Sequence, residues 1–465
     1  MYRRTNEDSI GVIFPTGALG SGFPIELLRD GVAMGATAIA VDAGSTDSGP
    51  YYLGTGNPKP SLAAIEQDLR YMLVVGREAG IPVVVGSCGT SGTSKGVDLL
   101  AELAERIAKE EGLSFTMARI YSDQDAETLI DALDAGRIHP LRPLPQTSPE
   151  ALRSCEHIVG LMGHEPIMAA LDAGADLVLA GRATDTSMVA ALAIRQGLPE
   201  GPAWHAAKTV ECGGLCTTNP RAAGSSSPVY VEVDRSGFTV LPIHPDAACT
   251  PTTVAAHMLY ENADPIRLVE PSGVLDTSKC TYVAVDDRTV RVEGSEFAHA
   301  TQQTVKLEGS RRAGYETLSF TGIADPEILA DLDVWEQLLR DHLRKRAYSV
   351  LGLDSGEYKV DVRLFGRSAV LGSLAAPAGP PNEVGVMLKL QAADQATATA
   401  IAKTANPLML HLPLPGMTHM PSFAFVTSPA EIERGAAYEF VLNHVVDVES
   451  GSELFRTVLS EVNHG

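Results

Sequence analysis

The sequence predicts an α/β protein: a doubly wound, mostly parallel sheet over residues 1–230, followed by an α+β domain over residues 231–465. Three observations predict it. Short apolar runs alternate with helical faces through the N-terminal part of the chain, the signature of βα units. Those runs are apolar throughout rather than alternating, as in a parallel sheet covered on both faces. Past residue 205 the texture changes to hairpins with polar turns, which mark antiparallel pairing.

Ile10 to Phe14 is the first strand, and TGALGSGFP after it is a loop. A helix follows through Ile25, Leu27, Leu28 and Val32. Ala38 to Val41 is the second strand, and it stops at Asp42 in another Gly/Ser-rich loop. PSLAAIEQDLRYMLVVGREAG sets Leu62, Ile65, Leu69, Met72 and Leu73 on one helical face, with Pro60-Ser61 as its start and Gly80 as its stop. Strand IPVVVG leads into SCGTSGTSKG, helix 97–111 into strand FTMARIYS, and helix 165–173 into strand ADLVLAG. AAGSSSPVYVEVDRSGFTVLPI reads as a hairpin turning at Ser236-Gly237, and CTYVAVDDRTVRVEGSEF as a second turning at Asp286-Asp287. YKVDVRLFG, the loop APAGPPNE and VGVMLKLQAADQATATAIAKTA then give strand, linker, strand and helix.

Composition narrows the function. With 58 acidic against 36 basic residues the net charge is -22, which repels phosphate backbones and argues against nucleic-acid binding. No stretch approaches ~18 consecutive apolar residues, so no membrane span is predicted. The start, MYRRTNEDSIGVIF, turns polar and acidic where a secretion signal needs an apolar core. Six cysteines in this length are too few for a disulfide framework. A cytoplasmic enzyme is the expectation.

In doubly wound sheets the ligand crevice lies at the carboxyl ends of the strands. The loops Gly17–Gly22, Asp42–Gly54, Gly86–Gly96 and Gly181–Ser187 are therefore expected to share one rim. In VDAGSTDSGPYYLGTG, Asp42 and Asp47 are paired carboxylates with the hydroxyls of Ser45 and Thr46 between them. Such a pair divides acid and base roles or shares a divalent cation, unless Asp42 merely caps a βα turn. GRATDTSMVAA sets Arg182 three residues before Asp185, with Thr184 beside it: a carboxylate clamp, or an N-cap with a local ion pair.

VVGSCGTSGTSKG offers Gly86, Ser87 and Gly89 as a turn whose amides can hold an anion, although the P-loop spacing fails. Cys88, without a neighbouring His in sequence, reads as a packing thiol as readily as a nucleophile. TGALGSGFP misses the dinucleotide fingerprint, since Ile25 stands where the last glycine should. His164 precedes Glu165-Pro166 at a helix start, a titratable imidazole at the rim or a cap. ECGGLC spaces Cys212 and Cys216 beside Glu211, without the second ligand pair that a structural zinc needs. His411 and His419 flank Pro/Gly turns that serve as a lid or bury an apolar loop.

The succession VDAGSTDSGPYYLG, IPVVVGSCGTSG and ADLVLAGRATDTSMVAALA resembles the AtuA-like family, named for acyclic terpene utilisation. HMLYENADPIRLVEPSGVLDTSKCTYVAVDDRTVRVEG and SPAEIERGAAYEFVLNHVVDVESGSELFR carry the resemblance along the chain. It departs from the name-giving terpene branch in the first loop and the C-terminal tail. The resemblance implies cytoplasmic catabolism of organic acids or their CoA esters, with a small companion subunit as a partner. It brings no catalytic residues with it, so the roles rest on the loops.

Those loops fit a lyase, hydratase or isomerase that abstracts a proton beside a carbonyl of a small carboxylic acid or its CoA thioester. Asp42 or Asp47 would be base or metal ligand, with Asp185, His164 or Cys88 assisting. Arg182 would clamp the acid, with Ser45, Thr46, Thr184 and the turn of Gly86, Ser87 and Gly89 around it. No redox cofactor is needed, and a divalent cation enters if Asp42, Asp47 and Asp185 converge. A homo-oligomer is expected. Two other readings stand beside this one. DAGSTDSG resembles the phosphate loop of the sugar kinase, actin and heat-shock ATPase group, which would make the protein a phosphoryl-handling one. A non-catalytic ligand-binding subunit of a hetero-complex would use the same crevice without turnover.

Overall fold

The computed structural model describes residues 2–4, 6–224, 226–376, 379 and 381–463. Pro377, Ala378 and Pro380 of the APAGPPNE loop lie outside the described residues. The chain divides into two compact units, Met1–Arg311 with Phe440–Gly465, and Arg312–Glu439.

The larger unit begins with β1 (Ile10–Phe14), α1 (Ile25–Ala33), β2 (Ala38–Asp42), α2 (Pro50–Thr55) and α3 (Leu62–Ala79). There follow β3 (Val83–Gly86), α4 (Ser94–Glu111), β4 (Phe115–Tyr121), α5 (Ala126–Asp134) and β5 (Ile138–Pro140). Next come α6 (Pro149–Arg153), β6 (His157–Leu161), α7 (Glu165–Asp172), β7 (Leu177–Ala180), α8 (Ser187–Arg195) and α9 (Glu200–Val210). The start and stop of α3 follow local chemistry. Ser61 Oγ accepts from the amide of Ala64, and Gly80 closes the helix at φ 67°.

The chain then runs β8 (Val229–Val233), β9 (Gly237–Pro242), α10 (Pro251–His257), β10 (Arg267–Glu270) and β11 (Gly273–Asp276). It continues with β12 (Thr281–Ala284), β13 (Val290–Glu293) and β14 (Glu296–His299). β15 (Gln303–Ile323) starts in the larger unit and ends in the smaller one.

Strand order in the main sheet is β12-β13-β9-β8-β1-β2-β3-β7-β4, closed at the far edge by a C-terminal strand. The centre is parallel: β1 with β2, β2 with β3, β3 with β7 and β7 with β4. β8, β9, β13 and β12 extend it antiparallel from β1. Alternate residues of the central strands face opposite layers, as the pleat requires. Ala38, Ala40 and Val84 meet α7, α8 and α9 through Ile167, Met188, Ala190 and Trp204. Ile39, Val41, Val83 and Val85 meet α1, α3 and α4 through Leu28, Leu69 and Leu100. The fold is thus α/β with helices on both faces.

The expected domain boundary at residue 230 does not coincide with the division into units. Both predicted hairpins form, but the Val229–Pro242 hairpin adds edge strands to the first sheet instead of opening a second domain. A strand edge left by β1 is completed by the nearest antiparallel partner, and hairpin chemistry alone does not say which sheet it joins.

In the smaller unit come α11 (Pro326–Ala330), α12 (Leu332–Arg346), β16 (Tyr358–Phe365), β17 (Val384–Ala392), α13 (Gln395–His411) and β18 (Ala424–Phe425). β17 pairs antiparallel with β16 on one side and with Tyr315–Ile323 of β15 on the other. Its residues alternate buried and half-buried, so one face is covered, by α12 and α13 around Trp335, Leu339, Ile401 and Met409. His411 Nδ1 pairs with the carbonyl of Pro421 and His419 Nε2 with Asp325 Oδ2, and both residues are exposed. β19 (Glu431–Val448) returns to the larger unit, and β20 (Arg456–Val462) pairs with β4 at the edge of the main sheet. No helix among the described residues is long and apolar enough to cross a membrane.

Candidate functional site

The four loops meet on one rim at the carboxyl ends of β1, β2, β3 and β7, as parallel strands demand. Backbone bonds stitch them: Leu19 N–H to Asp42 O at 2.8 Å, Ala43 N–H to Gly86 O at 2.9 Å, and Ser87 N–H to Gly181 O at 3.0 Å. Arg182 N–H reaches Gly92 O at 3.1 Å. Gly92 has φ 69°, and a Cβ there would lie 2.1 Å from Arg182 N, so the contact requires glycine. Ser122, at the end of β4, locks the same junction by donating to Gly92 O at 2.8 Å and accepting from Arg182 N–H at 2.7 Å.

Beside this rim the larger unit holds a cavity of about 410 Å³. From the predicted loops it takes Asp47, Arg182, Thr184 and Asp185; from α9, Lys208; from the residue just after α9, Glu211; and from later segments, Glu261, Glu270 and Lys306. A second hollow of about 300 Å³ shares Asp47 and Lys306 with it and is lined by Leu144, Phe440 and Leu442.

The charges in the cavity do not balance locally. Burial pushes Glu270 up to about 7, against a 2.9 Å hydrogen bond from Thr186 Oγ1 and the nearby ammonium of Lys208. Burial also raises Asp185, opposed by Arg182 and Lys208 and reinforced by Asp47 and Glu261. Glu211 is raised well above the usual carboxylate range by burial, although it accepts a hydrogen bond from Lys208 Nζ. Burial works against the charge on Lys208, but Glu211 outweighs it and holds the ammonium protonated. The cavity therefore pairs a retained cation with carboxyls whose affinity for a proton is raised by burial.

Residues 62–443 match the model of the acyclic terpene utilisation family protein AtuA. The chain belongs to this family. No curated protein and no solved structure matches the chain. The AtuA match takes in every residue lining the cavity except Asp47, which stands ahead of it in the chain.

Within this AtuA-family chain the predicted site residues separate into two sets. Asp47, Arg182, Thr184 and Asp185 line the cavity, and Thr46 lines the adjoining hollow. Ser45 Oγ donates to Asp47 Oδ2 at 2.9 Å and so orients that carboxylate. Asp42, Gly86, Ser87, Cys88, Gly89 and His164 do not line the cavity. Asp42 is 3% exposed; its Oδ2 accepts from Gly44 N–H at 3.2 Å, and its Oδ1 has no partner. Burial, and then the charge of Asp185, raise it well above the carboxylate range, with Arg182 opposing.

Ser87, Cys88 and Gly92 place their amides on the carbonyls of Gly181, Ala180 and Cys88, so those amides are not an anion nest. Cys88 is fully buried, and burial followed by the charge of Asp42 pushes its thiol up, away from the reactive thiolate. Gly89 packs against Gly96 at the start of α4. His164 Nδ1 lies 3.4 Å from Glu165 Oε2 without hydrogen-bond alignment, and its ring stands edge-on to Trp204.

Arg182, the expected clamp, is largely committed. Its Nε donates to Glu308 Oε2 at 2.9 Å and its Nη1 to Ser87 Oγ and Ala183 O, with Asp185 Oδ1 at 3.7 Å. Lys208, Glu211, Glu270, Lys306 and Glu308 were not among the predicted site residues. They carry no motif, and only Glu211 stands in a segment whose spacing draws attention. Asp42, Asp47 and Asp185 do not gather to share an ion. Among the described residues, the group of His, Cys, Asp and Glu side chains close enough to do so is Glu211, Cys212 and His257, with ligand atoms within 4.8 Å of one another.

Proposed function

We propose that this AtuA-family protein is an acid–base enzyme of organic-acid catabolism, a lyase, hydratase or isomerase acting on a small carboxylic acid or its CoA thioester. One observation carries the reading: Glu270, pushed up to about 7, and the protonated Lys208 act on each other in one cavity. A base whose pKa lies near the working pH is efficient at removing a proton from carbon, and a fixed ammonium stabilises the oxyanion that forms. Glu270 takes the proton from the carbon beside the carbonyl, and Lys208 with Lys306 receives the negative oxygen. Asp185, which burial keeps prone to protonation, returns a proton to the leaving group or to the far carbon.

A volume of about 410 Å³ suits a small ligand, and the neighbouring apolar hollow suits a short chain on the acid. The family name, acyclic terpene utilisation, is a catabolic setting that goes with such substrates. Six cysteines without a disulfide go with a reducing, cytoplasmic compartment. Phosphoryl handling gains no support, because the DAGSTDSG loop continues into α2 rather than a return strand.

The test is proton exchange. Candidate carboxylic acids and their CoA thioesters are incubated with the protein in D2O and read by mass spectrometry for deuterium beside the carbonyl. The native chain is expected to exchange or convert at least one of them, and Glu270→Gln to be slower by roughly 10²–10⁴-fold. Exchange that survives Glu270→Gln at the native rate would sink this assignment of the base.

A further inference from the structure

We propose that Glu211, Cys212 and His257 form a binding site for a zinc-type divalent cation, three protein ligands with a fourth position open to the cavity. Glu211 and Cys212 follow directly on the last residue of α9, and His257 is the last residue of α10. A capping box fixes α10, since Thr250 and Thr253 exchange backbone and side-chain bonds at 3.1 and 3.0 Å. α10 packs on the Gly213–Cys216 turn that follows Cys212. Two helix C-termini thus deliver the three ligands to one place, where the partial negative charge of the helix ends favours a cation.

A second observation points into the site. His257 is 5% exposed, yet its Nε2 is buried with no hydrogen-bond partner, and buried polar atoms are otherwise almost always paired. Its ring stacks on Tyr260 with centroids 5.6 Å apart, which holds its orientation. Lys208 takes Glu211 Oε1 and leaves Oε2 without a hydrogen bond.

The donor set decides the metal. Thiolate, imidazole and carboxylate suit zinc, whereas magnesium and calcium take oxygen alone. Around tetrahedral zinc, ligand atoms stand roughly 3.3–3.8 Å apart. The present spacing, within 4.8 Å, therefore closes by about an ångström of side-chain movement. Three protein ligands with an open fourth position are the arrangement of catalytic zinc, and Glu211 also lines the cavity. That a substrate oxygen would take the open position rests on the acid–base reading above; the binding of the ion does not.

The experiment is direct binding. The full chain is stripped with a chelator and titrated with Zn²⁺ in competition with a chromogenic chelator, and then with Co²⁺ while the thiolate-to-cobalt charge-transfer band is followed. One equivalent is expected to bind, with affinity falling about 100-fold or more in Cys212→Ser and in His257→Ala. The charge-transfer band should vanish in Cys212→Ser and persist in Cys155→Ser, whose half-buried thiol lies on another element. Circular dichroism of each variant separates lost binding from lost fold. Absence of binding in the native chain overturns the proposal. So does binding that folded Cys212→Ser and His257→Ala both retain, since surface carboxylates would then hold the ion.

Discussion

Arg182–Glu308 and Lys208–Glu211 are both buried ion pairs of the larger unit, and they differ in how completely their charges are answered. Glu308 takes Arg182 Nε at 2.9 Å on one oxygen and Lys306 Nζ at 2.7 Å on the other. Burial would raise this carboxyl, but Arg182 and then Lys306 outweigh it and bring it to about 2. Arg182 in turn has Ser87 and Ala183 on Nη1. Glu211 has a single lysine; burial, and then the charges of Asp185 and Glu270, keep its carboxyl well above the ordinary range. The first pair is saturated and holds β7, β15 and the β3 loop together. The second is left short of positive charge, the condition in which a cavity takes up a proton, a cation or a substrate.

The largest expected effect breaks the saturated pair. Glu308→Ala strands Arg182 without its main counter-charge, and loss of one partner from a buried pair costs about 3–5 kcal/mol. Urea unfolding should show that loss, and Arg182→Met added to Glu308→Ala should recover most of it, because the stranded charge is gone. A cost below about 1 kcal/mol for Glu308→Ala would remove the distinction between the two pairs. The same argument applies to Arg182→Ala. An inactive, unstable Arg182 variant does not place the guanidinium on substrate.

Much of the fold was legible because it follows from short-range signals. Ser61 and Gly80 bound α3 through cap chemistry, and short β-branched runs such as IPVVVG, bounded by Gly, read as strands covered on both faces. Convergence of the loops followed from parallel topology alone. The catalytic reading of those loops was the weaker step. Dense Gly and Ser at Gly86–Gly92 serve the stitching of neighbouring turns, as the 2.1 Å approach at Gly92 requires. Cys88 and Asp42 are buried by the same stitching.

The charged groups of the cavity stand in segments without a motif. Lys208 sits on α9, whose start Pro199-Glu200-Gly201-Pro202 lacks a capping side chain and hides the helix. Glu270 and Lys306 reach the cavity through β10 and β15, across sequence separations that no local spacing encodes. Glu211 and Cys212 were noticed, but their third partner, His257, is brought in by α10 through tertiary packing.

A second expected effect tests the unsaturated side through pH. Glu270 is raised from 4.5 to about 7, so the folded state binds its proton more tightly than the unfolded chain does. Its contribution is therefore fully present below about pH 4.5 and is lost as pH rises toward 7. At 1.36 kcal/mol per unit the full change is about 3 kcal/mol. Stability of the native chain should decline over that window, and Glu270→Gln should flatten the decline. Parallel slopes for the two proteins would mean that Glu270 titrates normally, and the proposal that it is a base would lose its support.

The smallest effect concerns Asp42, on which the charges of both Asp185 and Arg182 act. Its raised pKa gives the same sign: stabilising while protonated, and less so as pH rises through its folded value. Asparagine keeps the oxygen that accepts from Gly44 N–H and cannot ionise. Asp42→Asn should therefore match the native chain to within about 1 kcal/mol at or below about pH 4, where Asp42 is protonated folded or unfolded, and become relatively more stable at pH 7. Parallel denaturation series at the two pH values read this directly. An Asp42 that is only a buried, protonated packing group behaves this way and leaves turnover intact. If turnover collapses while the pH trend holds, its charge acts through Asp185, the group whose field already raises it, and Asp42 belongs with the unsaturated side of the comparison.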